Sequence, residues 1–99
     1  MNVKIQSIKF TADQKLVDFL TQKVEKMPRY YEGILGAEVF LRVENAQDTD
    51  NKVVEIRLEV PGYDVFATKQ AKTFEEAADL CLDALKKQVS KYKEKQKGL

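Results

Sequence analysis

The sequence predicts an α+β domain with the element order β-α-β-β-β-α, a four-stranded sheet carrying two helices on one face. Three observations predict it. Apolar residues alternate with charged ones over residues 38–44 and 53–60, the period of half-buried strands. Two longer segments carry apolar residues at helical spacing, each after a Thr-x-x-Gln or Thr-x-x-Glu start signal. The 99 residues suffice for one core and not for two, so residues 1–99 are read as a single domain.

Val3 to Phe10 reads as the first strand, with a change of parity near Ser7 that suggests a bulge. Thr11-Ala12-Asp13-Gln14 has the pattern of a capping box with Thr11 as N-cap. The helix after it places Leu16, Val17, Leu20, Val24 and Met27 on one side and ends near Met27, because Pro28 disfavours a helical conformation in the residue before it. In the second strand Val39, Leu41 and Val43 alternate with Glu38, Phe40, Arg42 and Glu44. Residues 45–51 are turn-forming throughout. In the third strand Val54, Ile56, Leu58 and Val60 alternate with Val53, Glu55, Arg57 and Glu59. Pro61-Gly62 suits a type II turn, and Tyr63 to about Ala71 is a weaker fourth strand. Thr73-Phe74-Glu75-Glu76 opens the second helix, which runs to about Tyr92 with Phe74, Ala78, Cys81, Leu85, Val89 and Tyr92 on one side. A lysine-rich tail follows from about residue 93.

The first two strands can pair in parallel through a right-handed helical crossover, and the later ones as antiparallel neighbours. Val39, Leu41, Val43, Val54, Ile56 and Leu58 are expected to face Leu16, Leu20, Val24, Cys81, Leu85 and Val89. The opposite sheet face, alternating Glu and Arg, can stay in water. It offers no row of exposed aromatics for base stacking; Phe40 stands alone.

Catalytic parts are missing. The chain has no histidine, and its one cysteine, Cys81, occupies a core position of a helix and reads as a structural thiol. Glu75-Glu76 and the pair Asp79 and Asp83 lie in the first turns of a helix, where the macrodipole favours acids. No enzyme, cofactor or metal site is expected. Gly33-Ile34-Leu35-Gly36 has the spacing of the KH-domain GxxG loop, but its middle is apolar and it leads into a strand. One cysteine, no apolar run of signal-peptide length and no membrane-length segment make a cytoplasmic chain the expectation.

A net charge of +1 conceals strong segregation. Residues 4–29 are basic on balance, 32–64 acidic, and 86–97 hold six lysines against one glutamate. Lys15, Lys23 and Lys26 fall on one flank of the first helix, and Arg29 follows it. Lys86, Lys87, Lys91, Lys93 and Lys95 crowd the end of the second. Two such clusters on helices that share a sheet face can merge into one patch suited to the phosphates of structured RNA. A different class of reading, a protein-interaction module using the acidic region 32–64 or Leu80 and not RNA, would show itself as a partner retained after RNase treatment.

Residues 79–95, Asp-Leu-Cys-Leu-Asp-Ala-Leu-Lys-Lys-Gln-Val-Ser-Lys-Tyr-Lys-Glu-Lys, resemble the last helix of the ribosome hibernation-promoting factor family. That family includes the ribosome-associated inhibitor A type and was once called sigma-54 modulation proteins. Lys23-Val24-Glu25-Lys26-Met27-Pro28-Arg29-Tyr30-Tyr31 is similar to its other hallmark, a Lys-x-x-Lys run ending in a basic residue and two aromatics. The resemblance spans essentially the whole chain. It implies a double-stranded-RNA-binding-like fold and occupation of the small-subunit channel used by mRNA and tRNA. It thereby implies inhibition of translation in non-growing, stationary-phase cells. The implied partners are 16S rRNA and neighbouring ribosomal proteins, with no membrane. The implied RNA-binding set is Lys23, Lys26, Arg29, Tyr30, Lys86, Lys87, Lys91, Lys93 and Lys95. The chain stops soon after the last helix, so the short form is the better match, and pairing of ribosomes would require another factor. Where the family often has Asp-Met-Tyr at the start of that helix, this chain has Thr73-Phe74-Glu75.

Overall fold

A computed structural model describes the backbone of residues 1–44 and 49–97, and the side chains of residues 1–44 and 49–91. Strand β1 (Asn2–Ser7) is followed by helix α1 (Gln14–Glu25) and a 3₁₀ turn (Met27–Arg29). Strands β2 (Gly36–Val43), β3 (Lys52–Val60) and β4 (Tyr63–Ala71) come next, and helix α2 (Phe74–Lys97) closes the order β-α-β-β-β-α. The sheet order is β1-β2-β3-β4, with β1 parallel to β2 and the other pairs antiparallel. The parallel pair is possible because α1 carries the chain back across the sheet.

Register follows the alternation. Val39 pairs with Ile56, Ile56 with Ala67 and Leu58 with Val65, so these side chains share the helix-covered face. On it Val39, Leu41, Val54, Ile56 and Leu58 are fully enclosed, opposite Leu20 and Val24 of α1 and Cys81, Leu85 and Val89 of α2. Alanines 67, 71, 77 and 78, all buried, let α2 lie close on β3 and β4. Leu16 is partly buried against this core. Val43 departs from expectation, being 46% exposed. Strand β1 ends opposite Leu41, so Val43 has no strand beside it on that side. Val53 is the converse, buried although its parity places it on the open face, level with Arg42 and Gln70.

The ends of the first two elements differ from the sequence reading for physical reasons. Strand β1 stops at Ser7 rather than continuing through a bulge to Phe10. Ile8 still donates its amide to Leu41 O (2.8 Å), but Lys9 takes a left-handed conformation (φ 65°) that ends the extended run. Phe10 then stacks on Phe74 at the start of α2, with centroids 5.3 Å apart, and Ala12 packs on the core. Residues 10–12 are therefore held out of helix. Asp13 rather than Thr11 becomes the N-cap, its carboxylate accepting from Lys15 N at 3.3 Å. At the far end α1 gives way at Glu25. Pro28 has no amide hydrogen to continue the α pattern, and the chain tightens into i→i+3 bonds from Arg29 N to Lys26 O and from Tyr30 N to Met27 O.

The second helix starts as expected, with Thr73 Oγ1 accepting from Glu76 N at 3.1 Å. It runs to Lys97 rather than stopping near Tyr92, since Lys, Glu and Gln are good helix formers and no Gly or Pro intervenes. The Tyr92 side chain, expected on the core side, and the turn residues 45–48 lie outside the described residues. The turn between β3 and β4 places Gly62 at φ 95°, the conformation expected of the third position of a type II turn. Gly36, in the GxxG run, is simply the first residue of β2; a Cβ there would come 3.2 Å from Asn2 O of the neighbouring strand. Among the described residues, no helix is long and apolar enough to cross a membrane.

Candidate nucleic-acid interface

The 3₁₀ turn after α1 brings Lys26 and Tyr30 alongside the middle of α2. Lys86 of α2 lies over the Tyr30 ring, its Nζ 4.7 Å from the centroid, and Tyr30 itself is 46% exposed. This contact joins the two basic clusters into one tract. On one side of the Tyr30–Lys86 pair is a groove of about 350 Å³ bordered by Lys23, Lys26, Asp79 and Asp83, with buried Met27 and Leu82 at its base. On the other is a wider depression of about 520 Å³ lined by Tyr30, Lys86, Lys87, Ser90 and Lys91, with no carboxylate.

The groove is the more polar of the two in its pairing. Lys23 Nζ stands 3.5 Å from Asp79 across the helix interface and 5.4 Å from the Phe19 ring centroid. Lys86 stands 3.9 Å from Asp83 on its own helix. All four side chains are well exposed, so these pairs are worth at most about 1 kcal/mol each and position charge more than they stabilise the fold. Among the described residues Lys26, Arg29, Lys87 and Lys91 have no acidic partner. They remain available for an external anion.

Of the nine residues expected in an RNA site, the fold brings Lys23, Lys26, Tyr30 and Lys86 around one groove, and Lys87 and Lys91 around the adjoining depression. Arg29 lies in the turn that leads to Tyr30. Lys93 and Lys95 lie on the last turns of α2, and their side chains are outside the described residues. The groove also takes in Asp79 and Asp83, which the sequence reading assigned to the helix dipole. The acids of the first turn of α2 are Glu75 and Glu76, so the dipole does not account for Asp83, ten residues into the helix.

The acidic stretch 32–64 contributes mainly to the open sheet face, where Arg42 and Arg57 are paired with its acids. Arg57 donates to Glu38 and stands 3.6 Å from Asp64. The Glu38 hydrogen bond and charge push the Arg57 pKa further up, so the guanidinium stays charged. Arg42 bonds Glu44 at 2.8 Å, and Thr68 donates to Glu55 at 3.1 Å. Phe66, 64% exposed, is the aromatic this face offers most openly, while Phe40 is half-buried. The two belong to strands separated by β3, so they form no stacking row. Cys81 is enclosed beneath α2, donating to Val54 O at 3.0 Å, and burial pushes its thiol up to about 11, the opposite of an activated nucleophile.

Over residues 3–97 the sequence matches the family described as Sigma 54 modulation protein / S30EA ribosomal protein. The chain belongs to that family. Among curated S30EA relatives, the ribosome hibernation promoting factor of Pseudomonas putida is 30% identical over 99 residues, covering 100% of this chain and 93% of the relative. The factor of that name from Escherichia coli is 28% identical, covering 98% and 96%. Among solved structures, the N-terminal domain of Thermus thermophilus Protein Y superposes with a TM-score of 0.77 at 26% identity, covering 93% of this chain and 99% of that one. A ribosomal subunit interface protein from Coxiella burnetii reaches 0.82 at 18% identity, covering 94% and 98%, a likeness of fold. Both agree with the β-α-β-β-β-α order and the two-helix face.

Proposed function

We propose that this S30EA-family chain is a hibernation factor that occupies the small ribosomal subunit in the channel used by mRNA and tRNA, and so inhibits translation when cells are not growing. The observation that carries the reading is the basic tract from Lys26 through Tyr30 and Lys86 to Lys91, on a chain whose curated relatives are ribosome hibernation promoting factors. In this reading Lys26, Arg29, Lys87 and Lys91 engage 16S rRNA phosphates, Tyr30 and Lys86 hold the two helices in register, and Lys93 and Lys95 extend the contact. Phosphate contacts from a rigid helical face suit RNA read by shape. The open face, with Arg42 and Arg57 already held by acids and acids in surplus, has little to offer a polyanion.

Such a factor acts by occupancy rather than turnover. Added to a cell-free translation system, the protein should depress synthesis in proportion to its ratio to ribosomes, reaching its full effect near equivalence. Full inhibition at a small fraction of the ribosome concentration would indicate catalysis and overturn the reading.

A further inference from the structure

Two depressions flank the Tyr30–Lys86 pair, and they differ in one chemical respect. The wider one is bordered by Lys86, Lys87 and Lys91 and contains no acid. The narrower one sets two carboxylates, Asp79 and Asp83, among Lys23, Lys26 and Lys86. Both carboxylates are exposed, at 55% and 70%, and each stands beside a lysine, at 3.5 Å and 3.9 Å. A phosphate entering this groove would meet two negative charges and two lysines already engaged, whereas one entering the wider depression meets no carboxylate and two lysines without an acidic partner among the described residues, Lys87 and Lys91. Hydroxyl and amino groups of a nucleoside face the opposite situation, because ionised carboxylates accept hydrogen bonds and donate none. The arrangement also has a cost. Asp79 and Asp83 lie four residues apart on one helix, a spacing at which like charges repel.

We infer that Asp79 and Asp83 are specificity-determining residues: they bar the RNA backbone from the groove between the helices and accept hydrogen bonds there from ribose 2′-hydroxyls or base amino groups, while the backbone runs over Lys87 and Lys91. The inference rests on the proposed RNA-binding function and adds to it a division of the tract into a phosphate seat and a nucleoside seat. In such a division the acids lower affinity for RNA in general and raise the preference for the one RNA surface that places a donor in the groove.

The test uses the full chain, its Asp79→Asn/Asp83→Asn variant, purified small ribosomal subunits and a generic A-form RNA duplex of mixed sequence. Asparagine keeps the shape and removes the charge, and both positions are exposed, so thermal unfolding serves as a check that the fold is intact. With Lys23 and Lys86 released, the variant's log–log salt slope on the duplex should steepen by about 1.8, about 0.9 for each lysine. The ratio of subunit affinity to duplex affinity should fall at least about tenfold, the worth of about 1.4 kcal/mol. Equal gains on both RNAs, or no change on either, would overturn the inference and leave the functional reading standing. Failure of the unmodified chain to bind subunits at all would overturn both.

Discussion

On the open face of the sheet, cations sit between acids: Arg57 between Glu38 and Asp64, Arg42 against Glu44. Around the Tyr30–Lys86 pair on the helix side the order is reversed. Two acids are set among many cations, and Lys26, Arg29, Lys87 and Lys91 lack an acidic partner among the described residues. Both faces are built on the same β3 residues, whose even positions feed the core and whose odd positions carry Glu55, Arg57 and Glu59 into water. The contrast therefore does not come from the sheet. It comes from which charges the fold leaves unmatched, and a near-zero net charge says nothing about that.

The largest expected effect breaks this contrast directly. Arg29→Gln/Lys87→Gln/Lys91→Gln should weaken binding to small subunits and flatten its log–log salt slope by about 2.7, at about 0.9 for each phosphate no longer neutralised. Urea unfolding should barely change, because the three side chains are on the surface. Neutralising Glu55 and Glu59 on the open face should leave the slope where it was. Equal effects from the two variants would mean that the faces are not functionally distinct.

A second prediction concerns the layer beneath both faces. Leu85 is fully enclosed one residue before Lys86, so Leu85→Ala should cost about 2–5 kcal/mol in urea unfolding. Subunit affinity of the fraction that remains folded should be nearly unaltered. A cost below about 0.5 kcal/mol would place the wrong side of α2 in the core.

The smallest effect is confined to alkaline pH. Below about pH 9 the Cys81 thiol is protonated in both folded and unfolded chains. Between that and about 11 the unfolded chain loses the proton while the folded one keeps it, so stability falls as pH rises through this window. Relative to Cys81→Ala, the unmodified chain should lose about 1 kcal/mol more between pH 8 and pH 10, measured by urea unfolding at each pH. Parallel pH profiles for the two proteins would show that the thiol is not shielded, and that the two faces share a less closed core than Val54 and Ala67 provide around it.

Much of this molecule could be read locally. Strict alternation placed β2 and β3 and their buried sides, Thr73 with Glu76 marked the start of α2, and Pro61-Gly62 marked the tight turn. In each case the deciding forces act between residues a few positions apart. The failures lie where distant residues intervene. Thr11 and Asp13 are both acceptable N-caps, and the choice fell to Asp13 because Phe10 is drawn onto Phe74, which no local pattern contains. Val43 alternates correctly yet is exposed because the neighbouring strand is too short to flank it. The site divides in the same way. Composition and helical projection identified the lysines and Arg29, while the seat of Lys86 over Tyr30 and the approach of Asp79 to Lys23 depend on how α1 and α2 cross the sheet. Charge along a chain is a property of the sequence. Whether Lys23 is matched or left free depends on a distance of 3.5 Å to Asp79 on the other helix, and that distance is set only when the helices pack.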